Sequence, residues 1–215
     1  MQIADLFDAN TREAAARELT DDDLIIAAVV MTQERTPDAR KRDRIGENLA
    51  WLALQARSST TATSITRQAL TLVMAENLFQ AFRRVTEYRR PTALLSRRRA
   101  DIRADEAAHV AATANGPAVL AELGRYEAQR MLHHENGSHI GFVQEMLPYI
   151  QDLAVLKGIT ESARLISQKL VVARIWELGD RDLVASIVHQ DEYSMWSTKA
   201  ARNAAIAILE PVPTS

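Results

Sequence analysis

Apolar residues recur at three- and four-residue spacing along most of the chain. The spacing is clearest over two stretches, Ile45, Leu49, Leu52 and Ala56, and then Leu72, Ala75, Phe79 and Phe82. Such spacing places apolar side chains on one face of an α-helix. Alanine and leucine recur throughout, and runs of β-branched residues are short, which favours helices over strands. The pattern predicts an all-α fold.

Polar runs, glycine and proline divide this pattern into eight or nine helices. We expect them at about 24–32, 37–57, 65–90, 92–114, 117–136, 138–157, 160–179 and 180–210. Ser58–Ser64 is predicted to be a loop that ends in a helix cap, and Pro148 is predicted to kink its helix. Short connections between helices predict a multi-helix bundle. We expect one domain over residues 1–215, and if it has two lobes their boundary should lie near 115–137.

Composition narrows the chemistry that the chain can carry. It has no cysteine and 7 glycines, so it offers no thiolate ligand, no disulfide and little material for a phosphate-cradling loop. The glycine-rich nucleotide motifs, the Gly-x-Ser-x-Gly elbow and the His-Glu-x-x-His zinc motif are missing from the sequence. No apolar run is long enough to span a bilayer, and the start resembles no secretory signal. We therefore expect a cytoplasmic protein without membrane contact or cofactor.

Charge is distributed unevenly along the chain. Residues 83–103, here called the arginine corner, hold eight arginines and only two acids, Glu87 and Asp101, and so carry a formal charge of +6. Because the whole chain carries −2, the other residues together carry −8. Arginine binds phosphate through two parallel hydrogen bonds and stacks on bases. We predict that the corner contacts nucleic-acid phosphates through Arg83, Arg84, Arg90, Arg97, Arg98 and Arg99.

A purely structural or assembly role for the corner also fits the sequence. Its arginines do not project from one helical face, and pairs such as Arg97–Asp101 would neutralise part of the charge. Acids on another subunit would be equally suitable partners, including those of a second copy in a homo-oligomer. The alternative hypothesis is therefore a helical protein–protein or self-assembly module of coat or scaffold type, without nucleic-acid contact.

Two histidine-containing segments suggest a metal site as a further alternative. Glu106 and His109 form a Glu-x-x-His pair on one helical face, and ferritin-like di-iron proteins combine two such pairs with two more glutamates. Glu76 and Glu127 stand at suitable positions, but no later helix carries a second Glu-x-x-His. The other segment, residues 133–139, holds three of the five histidines. Its Asn136-Gly137 pair is typical of a helix end, which explains these histidines without a metal.

In helix content and charge the chain resembles the small all-helical subunits of multi-subunit CRISPR effector complexes. Those subunits line a nucleic-acid channel with arginines, and coat or scaffold proteins of helical assemblies are equally similar. The resemblance implies a non-catalytic subunit that contacts nucleic acid within a multi-protein complex. A ferritin-like metal-dependent enzyme is the second alternative.

Overall fold

The computed structural model describes residue 6 and residues 11–33, 38–91, 99–134, 140–162, 166–189 and 195–210. Every regular element within these ranges is helical, which confirms the all-α bundle. The described ranges hold twelve α-helices: α1 Arg12–Glu18, α2 Asp21–Gln33, α3 Ala39–Gln55, α4 Ser59–Leu70, α5 Ala75–Val85, α6 Arg99–Ala111, α7 Gly116–His134, α8 Ile140–Met146, α9 Leu153–Ser162, α10 Gln168–Glu177, α11 Arg181–His189 and α12 Met195–Leu209. Leu147–Tyr149 adds a short 3₁₀ helix. None of the helices described is long and apolar enough to cross a membrane.

The prediction of eight or nine helices is wrong, because several predicted helices are divided. The stretch predicted as one helix over 65–90 contains the end of α4 and all of α5, the stretch 180–210 contains α11 and α12, and α1 was not predicted. The helix before Pro148 ends at Met146 instead of kinking, and Pro148 lies in the 3₁₀ helix that follows, since proline lacks the N–H that continued α-helical bonding requires. Asp152 then caps α9, accepting hydrogen bonds from the backbone N–H groups of Ala154 at 3.0 Å and Val155 at 3.2 Å.

The predicted loop Ser58–Ser64 is instead the start of α4. The Ser58 hydroxyl accepts a hydrogen bond from the Thr61 backbone N–H at 3.2 Å, which is the usual way for serine to begin a helix. Thr63 and Thr66 donate their hydroxyl protons to carbonyl oxygens four residues earlier, at 2.8 Å each. These hydroxyl groups are thus accommodated in a helix because they find local partners.

Asp21 ties the start of α2 to the start of α4. Its carboxylate accepts hydrogen bonds from the Arg57 backbone N–H at 2.9 Å, the Ser58 backbone N–H at 3.1 Å and the Ser58 hydroxyl at 2.8 Å. Burial alone would raise the pKa of Asp21, but these hydrogen bonds to its charged form outweigh burial and lower the pKa below its usual value. The contact fixes where two neighbouring helices begin.

The chain divides into two compact units, Met1–Leu123 and Gly124–Ser215. In the first unit α3 packs against α2, α4 and α5, and α5 packs against α6. Its largest buried side chains include Leu49, Leu52, Phe79 and Phe82. These residues belong to the two stretches whose spacing predicts helical stripes, so the predicted apolar faces form the core.

The second unit has its own core. There α10 packs against α9, α11 and α12, and the buried cluster includes Ile150, Leu156, Val172, Ile175 and Ala205. The arginine corner and the first glutamates of the proposed metal site lie in the first unit. Glu127 lies in the second.

The turn between α6 and α7 requires glycine. Gly116 lies so close to the end of α6 that a Cβ atom there would lie 1.9 Å from the Val110 carbonyl oxygen. Beside it, the buried Asn115 donates a side-chain hydrogen bond to the Ala56 carbonyl oxygen at 2.6 Å. The sequence Asn115-Gly116-Pro117 therefore fixes the close approach of the two helices.

Candidate nucleic-acid interface

Helix α5 is a core helix, and its two arginines lie beside its buried face. One face, which includes Leu78, Phe79 and Phe82, is buried, so Arg83 and Arg84 come at the edge of that face near the C-terminal end. Basic residues are favoured at this end by the helix dipole. The local sequence thus places two cations where α5 meets its neighbours.

A left-handed residue reverses the chain after α5. Glu87 has φ 56°, the Glu87 N–H donates to the Arg84 carbonyl at 3.0 Å, and the Tyr88 N–H donates to the Arg83 carbonyl at 3.1 Å. This pair of bonds is the Schellman ending, in which glycine is the usual left-handed residue. The reversal directs Tyr88 and Arg90 back toward α6.

Arg83 neutralises a buried carboxylate. Its Nη1 lies 2.6 Å from Oε1 of Glu106, and the Glu106 side chain is only 3% exposed. Arg90 Nη2 lies farther from the same oxygen, at 3.9 Å. A carboxylate removed from water needs a cation or several hydrogen bonds beside it. Arg83 is therefore committed to the packing of α5 against α6.

Further polar contacts join α6 to α5 and to the turn that follows α5. Arg103, which is nearly buried, pairs with Glu76 of α5. The Tyr88 hydroxyl donates to Asp105 at 2.7 Å. Burial is the larger cause and this hydrogen bond to a carboxylate is the second, and they raise the pKa of Tyr88 to about 12.

His109 completes this set of contacts. Its Nε2 lies 2.8 Å from the Thr86 carbonyl oxygen, and its ring meets the Tyr88 ring edge-on with 5.3 Å between centroids. The α6 face that bears Arg103, Glu106 and His109 therefore packs along α5, from its first turn to its C-terminal end, through polar side chains.

The other predicted contact residues have different surroundings. Arg84 Nε lies 2.5 Å from Oε1 of Glu47 in α3, in a pair whose side chains are 47% and 42% exposed. Arg90 is 43% exposed. Arg97 and Arg98 lie outside the described residues, as does the side chain of Arg99. The structure thus brings Arg83 and Arg90 to one carboxylate and places Arg84 against α3.

The four residues proposed for a di-metal site have other partners. Glu76 pairs with Arg103, Glu106 with Arg83, and His109 contacts a backbone carbonyl. Glu127 pairs with Arg130 at 3.1 Å within the second unit. Over the part of the chain that the structure describes, no group of three or more histidines and acids is arranged to hold a metal ion. Of the segment 133–139, only the side chain of His133 is described, and it is exposed.

Sequence analysis missed a second basic segment at the start of α3. Residues 40–44 have exposed side chains, and four of the five are basic: Arg40, Lys41, Arg42 and Arg44, with Asp43 between the last two. Within the described residues none of the four basic side chains pairs with a carboxylate. The signal is present in the sequence as a local run of positive charge, shorter than the arginine corner.

Comparison with known proteins gives no relative from which a role could be transferred. No family model matches the chain, and no curated protein and no solved structure matches it.

Proposed function

We propose that the chain is a non-catalytic helical subunit of a larger assembly and that it contacts nucleic-acid phosphates through its exposed arginines. Among the predicted contact residues, Arg84 and Arg90 are the described ones with the required exposure, and Arg97, Arg98 and Arg99 remain predictions from the sequence. Arg83 is no longer among the proposed contact residues, because it pairs with the buried carboxylate of Glu106.

The observation that carries the proposal is that two arginines, Arg83 and Arg90, lie beside the single carboxylate of Glu106. Glu106 offers one carboxylate, and Arg83 already binds it at 2.6 Å, whereas Arg90 lies at 3.9 Å and is 43% exposed. The neighbouring Arg89 is exposed as well. A half-exposed arginine beside a carboxylate that another arginine satisfies can turn to a phosphate at little energetic cost.

The pair between Arg84 and Glu47 is also weak enough to be exchanged. Both side chains are almost half exposed, and such surface pairs contribute about 0–1 kcal/mol. Arginine makes bidentate contacts with phosphate, and each neutralised phosphate releases counterions into solution. Binding through these residues should be tolerant of sequence and steeply dependent on salt.

Fluorescence polarisation with labelled single- and double-stranded DNA and RNA tests the proposal between about 50 and 300 mM salt. We expect binding by the wild type that weakens with salt, and at least a tenfold loss in the variant Arg84→Glu/Arg90→Glu. The matched control is Lys169→Glu/Lys199→Glu, which reverses two exposed charges in the second unit. Wild-type protein that binds none of these nucleic acids at the lowest salt would refute the function.

One observation favours the self-assembly module as a second candidate. Ile26 and Val30, one turn apart on α2, are 51% and 45% exposed. A helix that is apolar on all faces is usually covered. Multi-angle light scattering of the wild type and of Ile26→Lys/Val30→Lys tests this role: an oligomer lost in the variant supports it, and a monomer at all concentrations excludes it.

A further inference from the structure

Four basic residues begin α3 where the helix itself would prefer acids. The positive end of the helix dipole favours carboxylates in the first turn and disfavours cations. Helix α2 follows this rule with Asp21, Asp22 and Asp23 in its first turn, whereas α3 has no acid there. Like charges four residues apart, such as Arg40 and Arg44, also destabilise a helix. The helix dipole and the spacing of like charges therefore give no reason for this run of cations.

Capping does not explain the run either. Asp38 precedes α3, and its Oδ1 accepts a hydrogen bond from the Lys41 backbone N–H at 2.9 Å. The start of the helix is thus stabilised by an ordinary acidic cap. The charged ends of the basic side chains have no part in that contact.

Packing fixes which face of α3 points to solvent. Leu49 and Ala50 are completely buried, and Gly46 is buried so close to Val73 that a Cβ atom would lie 3.3 Å from Cγ2 of that residue. On a helix of 3.6 residues per turn, Arg40, Arg44 and Glu47 lie within about 60° of one another on the exposed side. The rotation of α3 about its axis therefore presents Arg40 and Arg44 outward together.

Arg84 joins the same face from α5. Because it pairs with Glu47 at 2.5 Å, its guanidinium lies one turn beyond Arg44 on this side of α3. We call Arg40, Arg44 and Arg84 the basic ridge. The Cα atoms of Arg40 and Glu47 are about 10 Å apart along the helix axis, which is long enough for contact with more than one phosphate of a single strand.

We infer that the basic ridge is the main phosphate-contact surface of this chain and that its ligand is the backbone of a nucleic-acid strand. The inference rests on the proposed function, but it moves the principal contacts from the arginine corner to α3. Lys41 and Arg42, beside the ridge, add charge that raises the local concentration of a polyanion. Arg84 belongs to both surfaces and connects them.

The test compares Arg40→Glu/Arg44→Glu with the wild type and with Lys169→Glu/Lys199→Glu by fluorescence polarisation on single-stranded RNA and DNA. We expect a loss of affinity of at least tenfold in the ridge variant and none in the control. For the milder variant Arg40→Gln/Arg44→Gln, the plot of log affinity against log salt should be shallower by about 1.4, which corresponds to two phosphate contacts on a single strand.

Stability supplies the second readout. If the ridge serves binding and not folding, Arg40→Gln/Arg44→Gln should melt at or above the wild-type temperature, because it removes the repulsion between two cations at the start of α3. Loss of affinity with unchanged or raised melting temperature supports the inference. An Arg40→Gln/Arg44→Gln variant that melts well below the wild type would overturn it by showing that the ridge stabilises the fold.

The outcomes separate the ridge from the proposed function. Wild-type protein that binds nucleic acid while Arg40→Glu/Arg44→Glu binds equally well would overturn the ridge and leave the function standing. A ridge variant that loses binding while Arg90→Glu alone keeps it would confirm the ridge as the main surface. Wild-type protein that binds anionic phosphatidylserine vesicles but no nucleic acid would overturn both.

Discussion

Arg83 and Arg84 are adjacent in sequence but should differ sharply in what they contribute to stability. Arg83→Ala removes the close partner of Glu106, whose side chain is 3% exposed in the wild type, and leaves Arg90 at 3.9 Å as the remaining cation. Removal of one partner from a buried pair costs about 3–5 kcal/mol. Because Arg83 is itself 28% exposed and Arg90 stands near, we expect the lower end, about 3 kcal/mol.

Arg84→Ala removes a pair whose two side chains are both almost half exposed. Water solvates the Glu47 carboxylate that this change leaves behind, so the cost should be about 0.5 kcal/mol. The two neighbouring substitutions remove the same side chain and differ only in the burial of the partner. Each is therefore the matched control of the other.

Urea unfolding measures the difference in a background where Trp51, in α3, is the only tryptophan, since its fluorescence then reports the first unit. With a slope of about 2 kcal/mol per M, Arg83→Ala should lower the midpoint by about 1.5 M and Arg84→Ala by about 0.3 M. In a double-mutant cycle, Glu106→Gln should reduce the cost of Arg83→Ala, because no buried charge is left unpaired. Equal midpoints for Arg83→Ala and Arg84→Ala would refute the division of the arginines into structural and exposed ones.

Three further predictions concern contacts away from the exposed arginines. Asp21→Asn should be less stable than the wild type above the ordinary carboxyl pKa of 3.8, and the difference in unfolding free energy should shrink as pH falls through the lowered pKa of Asp21. A difference that does not depend on pH would contradict the assigned hydrogen bonds. Gly116→Ala should cost at least about 2 kcal/mol in thermal or urea unfolding, because its Cβ would overlap the Val110 carbonyl oxygen. Gly141→Ala, where no atom lies within 4 Å of the new Cβ, should be neutral or stabilising, and equal effects would contradict the close approach at Gly116. In a spectrophotometric titration, the wild type and Tyr88→Phe should form equal amounts of tyrosinate near pH 10.0, and their tyrosinate absorbance should differ only near pH 12. A difference at pH 10.0 would refute the raised pKa of Tyr88.

The apolar pattern predicts the fold class and much of the core, because both follow from local spacing. Leu49, Leu52, Phe79 and Phe82 are fully buried, as their three- and four-residue spacing predicts. The helix ends are harder to predict. The hydroxyl groups of Thr63 and Thr66 bond to carbonyl oxygens of their own helix, so residues that commonly mark loops lie within α4.

The ion pairs could not be predicted from local sequence. Arg83 meets Glu106 across 23 residues, and Arg84 meets Glu47 of another helix. No spacing rule connects such partners, since only the packing of α3 and α6 against α5 brings them together. A charge count over residues 83–103 therefore overstates the free charge of the arginine corner, because it includes arginines that neutralise carboxylates elsewhere in the chain.

Burial of glutamates explains part of the arginine content of this chain. Glu106, Glu122 and Glu127 are each nearly buried, and each pairs with an arginine: Arg83, Arg67 and Arg130. Arginine suits this role because its guanidinium is less strongly hydrated than an ammonium group and offers a planar set of donors. These arginines are part of the fold, and their charge is not available to a ligand.

Salt should separate the two groups of arginines. Buried pairs are screened far less than exposed charges, for which the Debye length falls to about 8 Å at physiological ionic strength. The pair of Arg83 with Glu106 should therefore hold α5 on α6 at salt concentrations that remove a polyanion from Arg40, Arg44 and Arg84. If binding is lost with rising salt while Trp51 fluorescence and helicity stay constant, the ligand is held by charges that the fold does not use. If unfolding and release coincide, the same arginines serve both, and the basic ridge has no separate role.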